Sequence, residues 1–203
     1  MRNAPRVVLA SGSPRRLELL QNLGLQFTVQ SSDVDEYTAE QDPAAVVVLL
    51  SLAKARAVAD KLKQSSAEPA LVLGADTIVV LGAEILGKPT STQNAYEMLM
   101  SLSGKEHKVY TGVSIVEVPG GVEESIFQAS SVFFRKLSAE EARFYAESGE
   151  PMDKAGAYAL QGIASAFVEK VDGCYSNIIG LPVPATVRLL RRHGVRVMGA
   201  LET

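Results

Sequence analysis

A carboxylate can hold a metal or take a proton from water, and cations can offset the charge of an anionic group. Residues of these types recur along the chain. Asp76 follows Val72-Leu73-Gly74-Ala75, so its carboxylate enters or leaves a buried strand, where an unpaired charge is costly. A satisfied structural turn is the alternative there. Asp35 and Glu36 lie in an acidic stretch from Asp33 to Asp42, which reads equally as a solvated charge run. Ser11-Gly12-Ser13-Pro14-Arg15-Arg16 follows a strand pattern and opens a helix, where unpaired backbone N–H groups and the helix dipole favour an anion. Arg15 and Arg16 add forked donors for phosphate oxygens. The hexapeptide carries neither the Walker lysine pattern nor Gly-x-Gly-x-x-Gly, so an ordinary capped turn explains it as well.

Lys54 falls inside the helical arc defined by Val46, Val47, Leu49, Leu50, Ala53, Ala57 and Val58. Its ammonium either points inward toward an anion or snorkels out past the small alanines. Lys88, in Gly87-Lys88-Pro89, and the stretch Asp153-Lys154-Ala155-Gly156-Ala157-Tyr158 offer two more cations and a carboxylate, and Gln161 an amide able to read a base edge. One at a time these are turn residues. His107, His193 and Cys174 read as packing or helix-end residues.

The elements that must position these groups alternate in kind. Arg6 to Ala10 reads as a buried strand, Ser13-Pro14 as the start of a helix that Gly24 stops, and Gln26 to Val29 as a second strand. Asp33 to Asp42 reads as a loop, and Asp42-Pro43 caps a long helix to about Lys63. Ala70 to Leu73 is a strand with Asp76 between it and a hairpin of Ile78 to Leu81 and Ile85-Leu86. Thr90-x-x-Gln93 and Ser138-x-x-Glu141 resemble capping boxes. Val109 to Val118 and Ile126 to Phe134 make a hairpin around Pro119-Gly120-Gly121, Ala166 to Val171 a further strand, and Pro184 to His193 a last helix. This interleaving, with hairpins in the middle, predicts an α/β fold with a mixed sheet flanked by helices.

At 203 residues and 47% apolar content, with no repeat or linker, residues 1–203 read as a single domain. Twenty basic against 23 acidic residues give no field for a nucleic acid polymer. No apolar stretch is long enough for a bilayer, and Met1 to Pro5 lead into a strand instead of a secretory leader, so a soluble cytoplasmic protein is expected. With Cys174 the one cysteine and only two histidines, any metal should be a hard divalent cation, magnesium or manganese, on carboxylate oxygens.

In order along nearly the whole chain, the blocks Leu9-Ala10-Ser11-Gly12-Ser13-Pro14-Arg15-Arg16, Val34-Asp35-Glu36, Lys54-Ala55, Gly74-Ala75-Asp76-Thr77, Gly87-Lys88-Pro89, Tyr110-Thr111-Gly112-Val113, Gly149-Glu150-Pro151-x-Asp153-Lys154-Ala155-Gly156 and Gly180-Leu181-Pro182 resemble the Maf family of septum formation inhibitor Maf-like proteins. The resemblance implies a fold similar to inosine triphosphate pyrophosphatases, two lobes around a cleft, a divalent metal and frequent homodimers. It implies cleavage of a nucleoside triphosphate to monophosphate and pyrophosphate by attack of water at the α-phosphorus. Asp76 and Glu36 would then be the catalytic and metal-binding carboxylates, with Ser11, Arg16, Lys54, Lys88 and Lys154 neutralising the triphosphate and Asp153 beside them. Arg15, Thr77 and Gln161 resemble the subgroup acting on dTTP and UTP, since an arginine and a glutamine can bond the carbonyl and imide edge of thymine or uracil. A 7-methyl-GTP enzyme and a nucleotide-binding regulator of division are the competing expectations.

Overall fold

The computed structural model describes residues 5–65 and 68–199. Met1 to Ala4, on which the expectation of no secretory leader partly rests, lie outside the described residues. The chain forms β1 (Arg6–Leu9), α1 (Pro14–Gln21), β2 (Phe27–Val29), α2 (Pro43–Ser65), β3 (Ala70–Leu81), β4 (Glu84–Leu86), α3 (Thr92–Leu102), β5 (Glu106–Val118), β6 (Glu123–Phe134), α4 (Ala139–Glu147), β7 (Val168–Asp172), α5 (Tyr175–Ile179) and α6 (Val183–Arg192). Short 3-10 turns fill Glu150–Asp153, Ala155–Ala157 and Ile163–Phe167. The strands make one sheet in the order β2-β1-β3-β5-β6-β7, with β4 paired to β3. β1 runs parallel to β2 and β3, whereas β4 and β7 run antiparallel to their neighbours, so the sheet is mixed as expected. No helix among the described residues is long and apolar enough to cross a membrane.

Two compact units divide the chain. The first comprises Met1–Asp76, Thr111–Gln128 and Gly180–Thr203; the second comprises Thr77–Tyr110 and Ala129–Ile179. In the first unit, strand alternation sends Val7, Leu9, Leu71 and Leu73 to one face, under Leu20 of α1 and Leu189 and Leu190 of α6. Val8, Ala10, Ala70 and Val72 face the other way, against Ala55, Val58, Ala59 and Leu62 of α2. The second unit buries Leu99 and Leu102 of α3 with Ala142, Tyr145 and Ala146 of α4 against Val109, Val132 and Phe134.

Local sequence signals are met with adjustments. Ser13 is the N-cap of α1, but its side chain makes no capping bond; its N–H instead donates to the Ser11 hydroxyl at 3.2 Å. α3 is capped by Ser91, which accepts from the Asn94 N–H, one residue later than Thr90. Ser138 and Glu141 form the expected reciprocal box on α4. The strand expected from Ala166 starts at Val168, because a 3-10 turn takes the preceding residues.

His107 lies on β5 at 1% exposure, with Nε2 at 2.8 Å from the Tyr158 hydroxyl and its ring edge-on to Phe134. Burial lowers its pKa from 6.5 to about 4. The imidazole is therefore neutral in the fold, and as pH falls the unfolded chain binds a proton first. Stability present at neutral pH is lost as pH drops from about 6.5 toward 4. Between pH 7 and pH 5 this group should cost about 2 kcal/mol. Urea unfolding at the two pH values measures the difference, and His107→Phe should remove that part of it.

Candidate functional site

Asp76 is not at a strand end. β3 runs unbroken from Ala70 to Leu81, so the carboxylate is carried from the interior of a strand and is 6% exposed. Gly74 explains how the strand passes under α2: a Cβ there would overlap the Ser51 carbonyl oxygen and stand 2.9 Å from the Ala55 nitrogen. With only a hydrogen in that space, the two backbones approach closely enough for Lys54 to meet the strand. Its Nζ donates to Asp76 Oδ1 at 2.6 Å and to Glu36 Oε1 at 2.7 Å. The Lys54 and Asp76 side chains are 10% and 9% exposed, so the ammonium points inward and does not snorkel. Glu36, at 50%, is the solvent-facing member. A buried ammonium requires such partners, and removing one of them typically costs about 3–5 kcal/mol.

Glu36 reaches this position from a loop with its own turn chemistry. Asp35 Oδ1 accepts the Tyr37 N–H, Thr38 Oγ1 the Glu40 N–H, and Asp42 Oδ2 the Ala45 N–H at the start of α2. The acidic stretch is thus partly structural, and only one of its carboxylates faces Lys54.

Arg16 is the second buried cation of this unit. Its Nε donates to the Gly180 carbonyl at 2.8 Å and its terminal nitrogen to the Ser11 hydroxyl at 3.1 Å. Burial pushes its pKa down, and the nearby Asp76 and Glu36 oppose that shift. The guanidinium remains a cation at neutral pH. Gly180 has φ 123°, a conformation suited to glycine, and presents its carbonyl to Arg16. Sequence reasoning gave Gly180 no role, although glycine before Leu181-Pro182 was a visible signal. Arg15 is half-buried beside this set. Ser11, Arg16, Glu36, Lys54 and Asp76 therefore all belong to the first unit, and the last three touch directly.

Thr77, Lys88, Asp153, Lys154 and Gln161 belong to the second unit. The loop carrying Lys88 is tied to the one carrying Lys154, because the Gly156 N–H donates to the Gly87 carbonyl at 3.0 Å. Gly156 takes φ +68°, and a Cβ there would press into Val79. Lys154 Nζ donates to the Glu150 carbonyl at 2.6 Å and to the Asp153 carboxylate. Gln161 is exposed in the turn before Ile163.

Among the described residues no three His, Cys, Asp or Glu side chains gather to hold a metal ion. Glu36 and Asp76 present hard oxygens within reach of one cation, the Lys54 ammonium. Such a pair suits magnesium or manganese, which commonly take one or two carboxylates and complete their shell with water and substrate phosphates.

The residues 6–193 match the model of a family described as Maf-like protein. A dTTP/UTP pyrophosphatase of Desulforamulus reducens is 44% identical over 192 residues, covering 95% of this chain and 98% of its own. One of Moorella thermoacetica is 48% identical over 195 residues, with 96% and 98% coverage, and one of Deinococcus radiodurans 46% over 196 residues, with 97% of both. A solved nucleoside-triphosphatase, a dITP/XTP pyrophosphatase of Mycobacterium abscessus, overlaps 65% of this chain and 75% of its own at 18% identity and a TM-score of 0.38.

The close approach at Gly74 leads to a direct expectation. Gly74→Ala should force α2 away from β3 and cost about 3 kcal/mol. That loss lowers the thermal midpoint by roughly 6–12 °C in a chain of this size. Thermal unfolding followed by circular dichroism reads it, and an unchanged midpoint would show that the helix yields at no cost.

Proposed function

The chain belongs to the Maf family, and from that premise we propose that it hydrolyses the pyrimidine nucleoside triphosphates dTTP and UTP to the monophosphate and pyrophosphate. The observation that carries the proposal is the buried Lys54 ammonium bonded to both Asp76 and Glu36, beside a buried arginine on the Ser11 hydroxyl. Cations and carboxylates held in one place are what phosphoryl transfer demands. The curated relatives named dTTP/UTP pyrophosphatase support the substrate class.

In this reading a water oxygen bonds to the α-phosphorus while the bond from that phosphorus to the α–β bridging oxygen breaks. Pyrophosphate leaves with the bonding electrons, and the water proton passes to Asp76. Lys54 holds Asp76 Oδ1, which orients the carboxylate and leaves Oδ2 as the oxygen assigned to the proton. Ser11 and Arg16 receive phosphate oxygens at the start of α1, where the helix dipole favours an anion. A divalent cation on Glu36 and Asp76 would offset charge on the phosphoryl oxygens. Assignment of Lys88, Asp153 and Lys154 to the triphosphate, and of Arg15, Thr77 and Gln161 to the pyrimidine, rests on the sequence resemblance. A homodimer and a cytoplasmic setting belong to the same proposal.

The test is a substrate panel. Purified protein with magnesium or manganese should convert UTP and dTTP to UMP or dTMP and pyrophosphate, and should act more slowly on 7-methyl-GTP. Release of orthophosphate alone would overturn the proposal, and preference for 7-methyl-GTP would overturn its pyrimidine part. Asp76→Asn should lower kcat by at least about 100-fold, with nucleotide binding followed separately by calorimetry.

A further inference from the structure

Gln161 sits midway between two backbone anchors. Two residues before it, the Ala159 N–H donates to the Tyr145 hydroxyl at 3.2 Å; two residues after it, the Ile163 N–H donates to Glu150 Oε2 at 3.3 Å. The Tyr145 hydroxyl in turn donates to Glu150 Oε1 at 3.0 Å. Both flanks of the Gln161 turn thus end on one carboxylate, one of them through a tyrosine hydroxyl. The carboxylate lies directly over the turn, because a Cβ on Gly162 would overlap Oε1 and stand within 2.7 Å of Oε2.

The anchor is itself immobilised. Tyr145 is fully buried on α4, its ring edge-on to Phe167 at 5.4 Å. Glu150 donates its N–H to Ser148 Oγ and gives its carbonyl to the Lys154 ammonium. One residue therefore touches both the turn of Gln161 and the cation of the neighbouring turn. A carboxylate suits the place, because three donors converge on Glu150, two on its side chain and one on its carbonyl. Glutamine would keep one acceptor oxygen and turn an NH2 group against a donor.

We propose that Glu150, acting through Tyr145, is a positioning residue that sets base discrimination by holding the Gln161 turn in one conformation. The inference rests on the reading of Gln161 as the amide that meets the base.

The experiment compares kcat and KM on UTP and on CTP, which carries an amine where UTP has a carbonyl, for the whole protein and four variants. Gln161→Ala should lower the UTP-to-CTP ratio of kcat/KM by about tenfold, the worth of one well-made hydrogen bond. Glu150→Gln and Tyr145→Phe should lower it similarly through KM, with kcat kept within about threefold. Glu150→Gln combined with Gln161→Ala should fall no further than Gln161→Ala alone, since both act on one contact. Tyr145→Phe keeps the ring packing and serves if Glu150→Gln does not fold. A wild-type ratio in the folded Glu150 and Tyr145 variants, or an equal loss of kcat on both nucleotides, overturns the inference while leaving Gln161 as the base contact. An unaltered ratio in Gln161→Ala overturns the premise about that amide and the inference with it.

Discussion

A lysine ammonium taken out of water must be given negative partners, and Lys54 imposes that requirement on the first unit. Its partners come from different parts of the chain, Asp76 from inside β3 and Glu36 from a loop before α2. Meeting it demands that α2 lie almost on the strand, which the missing side chain at Gly74 permits. Close to this contact, Ser51, one turn before Lys54, is 2.7 Å from Ser114 on β5, which is 2.8 Å from the half-buried Ser125 on β6. Each hydroxyl satisfies the next.

Arg16 answers a similar requirement by other means. It is held by the Gly180 carbonyl and the Ser11 hydroxyl, with the charges of Asp76 and Glu36 close by. Lys54 thus gathers two carboxylates, whereas Arg16 ties the start of α1 to the segment at Gly180.

Much of the scaffold was legible because it obeys local rules. The buried apolar run of Val7, Val8, Leu9 and Ala10, the Ser138–Glu141 box and the inward angle of Lys54 each follow from runs, periods or caps a few residues long. The position of Asp76 was legible only as to burial. Gly74-Ala75-Asp76-Thr77 looks like punctuation between strands, but here glycine serves a close approach by α2 and the extended backbone continues through it. The tie from Gly180 to Arg16 spans 164 residues, and no short window holds both ends. Glu150 was hidden for a related reason, since its meaning lies in one N–H group and one hydroxyl that only folding brings to its carboxylate.

The way the two units share the chain also bears on the order in which they can be completed. All of the second unit has been made once Ile179 leaves the ribosome, whereas the first still awaits the piece that begins at Gly180. Leu189 and Leu190 of that piece lie in the same buried cluster as Val7 and Leu9. The unit that starts first is therefore finished last, and the face of β1 that Leu20 shares with Leu189 and Leu190 stays only partly covered through most of translation. Nascent chains stalled before α6 should be the form that chaperones bind, because that is when the surface meant for Leu189 and Leu190 has nothing to cover it.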